Sequence, residues 1–193
     1  YDCSMNSFLL YNRDGVLFRE IAMNDVQISD SNFGSVVAQD LNNDGQLDLV
    51  FGGRSDSGFS LYAIDLNGNN IAGFPILLEN GQASHVNTPA LFRFASSTSL
   101  NAIVVNSSAT GPDDYWETHD DTDNIIAYSN TGNQLWSYRL SDESDNDPVV
   151  GDLNNDGYDE IAVVYDDGLI ILDRFGNMLR NIALPNHDGG SSN

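Results

Sequence analysis

Cysteine is almost missing from this chain: Cys3 is the single one among 193 residues, so no disulfide can form within it. An oxidising compartment stays open to it only if something else supplies the staple, and a bound divalent ion is one such device. Basic residues are scarce as well. Seven Lys and Arg stand against 29 Asp and Glu, a formal net charge of −22. That field repels phosphate backbones and anionic lipid headgroups, which argues against nucleic acid as a partner and favours a saline exterior that screens the charge. Long apolar runs are missing too. No segment reaches the roughly 20 residues of a membrane span, and the first residues lack the basic start and apolar centre of a signal peptide. A chain that opens on Tyr1 reads as processed or as part of a longer protein.

Sustained helical periodicity is the last absence. Gly, Asn, Asp and β-branched residues interrupt every long window, so the predicted fold is all-β.

What the chain does have is a repeat. Phe8-Leu9-Leu10-Tyr11 precedes Asn12-Arg13-Asp14-Gly15, and Leu61-Tyr62-Ala63-Ile64 precedes Asp65-Leu66-Asn67-Gly68. Ile125-Ile126-Ala127-Tyr128 precedes Ser129-Asn130-Thr131-Gly132, and Leu169-Ile170-Ile171-Leu172 precedes Asp173-Arg174-Phe175-Gly176. Glycine recurs at the turn position most cheaply held at positive φ, and the flanking β-branched and aromatic residues favour strands covered on both faces.

Between these hairpins lie strand–loop–strand units around two acidic loops, Asp40–Asp48 and Asp152–Glu160. A degraded middle copy aligns Arg93, Ala95, Ser97 and Asn101 with Asp40, Asn42, Asp44 and Asp48. The predicted organisation is a leading hairpin at 7–21 and three four-stranded units near 34–78, 88–140 and 147–184. Periods near 50 with four short strands match radial sheet repetition. The expectation is therefore a partial β-propeller, three four-stranded blades and a leading half-blade, with residues 1–193 as an incomplete ring. Flanking sequence or another molecule would complete its exposed edge, the latter as a homo-oligomer or filament.

In the acidic loops, oxygen groups at relative positions one, three, five and nine can converge on a hard cation, with a carbonyl at seven and a sharp Gly turn at six. The candidate metal ligands are Asp40, Asn42, Asp44, Gln46 and Asp48 in the first loop, and Asp152, Asn154, Asp156, Tyr158 and Glu160 in the second. Hard oxygen donors without clustered Cys or His select Ca2+ over zinc. Leu41 and Leu153 are expected to point into apolar packing. The competing reading is an acidic turn whose Asp and Asn side chains hydrogen-bond to backbone amides.

With Phe33-Gly34 before the first loop and Leu49-Val50-Phe51-Gly52-Gly53 after it, the chain resembles the FG-GAP/VCBS repeat family, also found in integrin α-subunit propellers. Gly53-Arg54 replaces that family's terminal Ala-Pro, and Asp147-Pro148 replaces its leading Phe-Gly before the second loop. The resemblance implies a calcium-binding propeller outside the cell, secreted or at its surface. It further implies a role in adhesion, recognition of an extracellular protein or glycan, or structural assembly. The alternative is a carbohydrate-active enzyme, especially a polysaccharide lyase, which needs a basic residue near an acidic sugar.

The largest departure from the repeat is Ser107–Asn124, where Tyr115, Trp116 and Glu117 form a candidate ligand-binding patch of aromatics beside carboxylates. No serine-nucleophile or Cys/His arrangement rises above chance. Asn106-Ser107-Ser108 is a candidate N-glycosylation site at Asn106.

Overall fold

Apolar and β-branched runs become strands, and the Asn, Asp and Gly clusters between them become turns. The structure is a computed structural model that describes residues 7–23, 26, 35–81, 83–95, 101–109, 122–141, 144, 146–165 and 168–184. A leading two-stranded sheet pairs β1 (Ser7–Tyr11) with β2 (Leu17–Ala22). The second sheet runs in the order β3 (Val37–Gln39), β4 (Asp48–Ser55), β5 (Gly58–Asp65), β6 (Ile76–Leu77), and a 3-10 turn at Leu78–Gly81 follows. The third sheet has five strands. Both β7 (Ala83–Val86) and β8 (Ala90–Phe92) pair with β9 (Ala102–Ala109), which is followed by β10 (Thr122–Ser129) and β11 (Gln134–Arg139). The fourth sheet is β12 (Val149–Gly151), β13 (Glu160–Tyr165), β14 (Gly168–Leu172) and β15 (Met178–Ala183).

The all-β expectation holds, and every strand pair is antiparallel. The partial propeller does not hold. Four separate sheets are found, none closed or curled, so blades arranged around an axis are replaced by open antiparallel sheets. The pairing that makes each sheet is local, hairpin by hairpin, and it carries no instruction to curl or close.

Strand alternation explains how the sheets pack. Successive residues point to opposite faces, and the central strands are buried on both. On β4 and β5, Leu49, Phe51, Tyr62 and Ile64 join Ile21 and Met23 in one core, while Val50, Leu61 and Ala63 join Ile103, Val105, Ile126 and Tyr128 in the next. The third sheet repeats the device: Ala102, Val104, Ile125 and Ala127 turn the other way, to meet Ile161, Val163, Ile170 and Leu172. Each interior sheet thus serves two cores. The outer elements are different, since all six residues of β15 are exposed and β2 buries only Ile21.

Candidate functional site

The two acidic loops have nearly the same hydrogen-bond pattern. Asp40 Oδ1 and Oδ2 accept from the amides of Asp44 (3.0 Å) and Gly45 (2.9 Å), Asn42 Oδ1 accepts from Asp44 N (2.9 Å), and Asp44 Oδ1 accepts from Gln46 N (2.8 Å). In the second loop, Asp152 accepts from Asp156 N (3.1 Å) and Gly157 N (2.9 Å), Asn154 from Asp156 N (2.8 Å), and Asp156 from Tyr158 N (2.8 Å). Asn43 and Asn155 sit at positive φ, 61° and 62°, so each loop folds back on its own amides. These residues are the ones named above as metal ligands. The Asp and Asn oxygens serve backbone N–H groups, as in the competing acidic-turn reading, and Gln46 and Tyr158 enter the pattern through their amides.

Among the described residues, no group of three or more His, Cys, Asp or Glu side chains is placed to hold a metal ion. The donor set does not fit calcium, and the calcium-binding expectation for both loops is withdrawn. Loop position nine has a structural task instead. Asp48 Oδ2, Asn101 Oδ1 and Glu160 Oε2 accept the amides of Leu41 (3.0 Å), Phe94 (3.0 Å) and Leu153 (2.8 Å), each seven residues earlier. Leu41 is fully buried between sheets, whereas Leu153 is 58% exposed because its loop belongs to the last described sheet.

The other named positions separate. Tyr115, Trp116 and Glu117 lie outside the described residues. Asn106 is fully buried in β9, and its Nδ2 donates to Ser144 O (2.6 Å) and Asn146 O (3.2 Å), so the folded chain leaves no room there for a glycan.

A different site emerges between the second and third sheets. It is an open cleft of about 350 Å³, within the lower range of small-molecule pockets. One wall is Ile76 and Leu77 of β6 with Glu79 of the 3-10 turn, and the other is one face of β10–β11. Asn124, Ile126 and Tyr128 occupy alternate positions on β10, and Ser137 and Gln134 sit opposite Ile126 and Tyr128 in the register, so all five share a face. Gly132 lines one end of the cleft, where two backbones meet: a Cβ built on it would fall 2.3 Å from Gly73 O. At φ of 78° and 94°, Gly132 and Gly73 hold conformations and a separation that leave no space for a side chain.

Glu79 crosses the cleft. Leu78, fully buried, anchors the turn, and Glu79 at φ 47° accepts a hydrogen bond from Asn124 Nδ2 at 3.2 Å. Burial pushes its carboxyl above the ordinary range, opposed in part by the Asn124 bond. Tyr128 is pushed up to about 12, by burial first and by the charge of Glu79 second. Its hydroxyl keeps its proton at neutral pH.

The alternation of Asn124, Ile126 and Tyr128 was readable as one face of β10, to which the register shift at Ala127/Tyr128 adds both Gln134 and Ser137. Glu79 was not, because it stands 45 residues from Asn124 and reaches it only through the packing of two sheets.

No protein-family model matches the chain, and no curated protein matches it. Together with the open sheets, this sets aside the FG-GAP/VCBS and integrin-type resemblance. No helix among the described residues is long and apolar enough to cross a membrane.

Proposed function

We propose that this chain is a recognition module that holds an extracellular protein or glycan without altering it chemically, in a saline setting that screens its net charge of −22. The cleft between the second and third sheets carries this reading, because Glu79, Asn124, Gln134 and Ser137 offer polar groups beside the apolar Ile76, Leu77 and Ile126. The cleft's chemistry weighs against the lyase alternative. Acid–base cleavage of a sugar chain takes two groups facing one bond. The described lining supplies one carboxyl group, Glu79, and no His or Lys; Arg139, opposite Asn124 in the register, lies outside it, and Tyr128 holds its proton too tightly to be a base at neutral pH.

The test is an immobilised panel of glycans and extracellular proteins probed with the chain and with Ser137→Trp, which fills the cleft from an exposed position. The expected result is at least one retained partner whose mass is unchanged after binding. Retention should fall about ten-fold or more in the variant, the loss of one or two well-made contacts. New sugar ends or unsaturated products would overturn the reading, and equal retention by Ser137→Trp would remove the cleft from it.

A further inference from the structure

We infer that the Glu79–Gln134–Ser137 cleft binds a neutral vicinal diol of the kind a pyranose ring presents, with the ring's C–H face against Ile76 and Leu77. The inference rests on the recognition reading and adds its ligand class. A sugar hydroxyl both donates and accepts, so it needs partners of both kinds within one ring's width. The two walls supply both kinds: a carboxyl group from the 3-10 turn, and from β11 an amide and a hydroxyl, three residues apart, that the register shift at Ala127/Tyr128 brings to one face. Gln134 and Ser137 are exposed and share the face of Tyr128 and Ile126, so their polar ends border the same space. Leu77, 44% exposed, leaves an apolar surface at the mouth without a described cover.

Charge selects within the sugars. No cation is among the described residues that line the cleft, Arg139 opposite Asn124 in the register standing outside them, and the chain's overall field repels a uronate and a sulfate alike. Glu79 is also poorly suited to an ion pair with an amino sugar. Burial already disfavours its charge, and the group that buttresses it, Asn124, is neutral. Sugar hydroxyl groups can meet it with neutral hydrogen bonds instead.

The experiment titrates the full 15N-labelled chain separately with glucose, galactose and mannose, and with glucuronic acid and glucosamine as charged controls. At least one neutral hexose should shift the Gln134 side-chain and Ser137 backbone signals saturably, with both controls weaker. Gln134→Ala and Ser137→Ala should each weaken that binding by about three- to ten-fold, the worth of one hydrogen bond. Amide signals remote from β11 should stay in place, which separates lost contacts from lost folding. Methyl glycosides run in parallel assign the source: glycosides that match the free sugar indicate a glycan end, and binding of the free sugar alone indicates a monosaccharide. The inference is overturned if no neutral hexose shifts these signals, if the variants bind unchanged, or if either charged control binds as well. Should the immobilised panel yield a partner in that case, the recognition reading stands and the diol assignment alone falls.

Discussion

Glu79 concentrates the conflict between backbone, burial and charge in one residue. It adopts a left-handed φ of 47°, which a β-unbranched acid tolerates only when its neighbours hold it, and Leu78 and Asn124 do so. Its raised pKa sets a sign for stability. The unfolded chain loses this proton near the ordinary value of 4.5, while the folded chain keeps it to higher pH. The folded state therefore binds more protons in that window, and stability falls as pH rises through it. Tyr128 is the titratable neighbour across the cleft, and it stays neutral there. Glu79→Gln should remove this contribution: the stability of the wild type relative to the variant, measured by urea unfolding, should decline as pH rises above 4.5. A difference that stays flat would show that the carboxyl is solvated like any surface acid. Asp48, raised by burial and opposed by the amides of Leu41 and Asn42, acts with the same sign in both proteins and cancels from the difference.

At the scale of elements, one side chain organises each hairpin. Asn12, Asp65, Ser129 and Asp173 open the four turns, and each accepts the amides two and four residues ahead. The distances are 3.0 and 2.9 Å at Asn12, 2.8 and 2.9 Å at Asp65, 3.3 and 3.1 Å at Ser129, and 2.8 Å for both at Asp173. The side chain satisfies turn amides that the ladder cannot reach, and glycine three residues on supplies positive φ, from 75° to 86° in the four copies. At Asp65 the hydrogen bond from the Asn69 side chain, followed by backbone amides, holds the carboxyl below its ordinary range. Replacing Asp65 by Ala should cost about 1–2 kcal/mol in denaturant unfolding, since two or more bonds to one acceptor are lost. Ser129→Ala should cost less because its bonds are longer and neutral. Equal losses at the two positions would contradict the charge-assisted account.

Across the described molecule, sheets are joined by shared cores and by a partly buried ion pair. Arg93 stands where the first acidic loop has Asp40, and it leaves its own loop to meet Asp159 of the fourth sheet's loop. Its Nε lies 3.1 and 3.0 Å from the two carboxylate oxygens, its backbone amide donates at 2.9 Å, and Nη2 also pairs with Oδ1. Asp159 is 3% exposed. Burial pushes its carboxyl up, but the Arg93 hydrogen bonds and charge together win and hold it below the ordinary 3.8. This contribution to stability is complete above 3.8 and is lost as pH falls through the folded value. Arg93→Met should lower Tm by several degrees, because it strands a buried carboxylate. Adding Asp159→Leu should recover part of that loss, since an apolar pair leaves no charge unpaired. Losses that simply add in the double variant would show that the two side chains do not couple the third and fourth sheets.

The sequence by itself determined the strands, the hairpins and the residues that close them. Apolar runs such as Leu61–Ile64 and Ile125–Tyr128 can only be buried on both faces, and a turn-opening Asp or Asn followed by glycine specifies its turn within five residues. These are short-range facts, and neighbours in the chain decide them. The arrangement of sheets and the use of the acidic loops were decided by tertiary structure. Side-chain oxygens at positions one, three, five and nine suit a cation or a set of amides equally in composition, and in this fold the amides take them. Leu41 and Leu153 occupy matching loop positions, yet one is buried and the other exposed, because only the first has a further sheet packed over it. The cleft is the clearest case. Glu79 and Asn124 become partners through the packing of two sheets, an approach that depends on the fit of Leu61, Val105 and Ile126 in a common core and that no local pattern encodes.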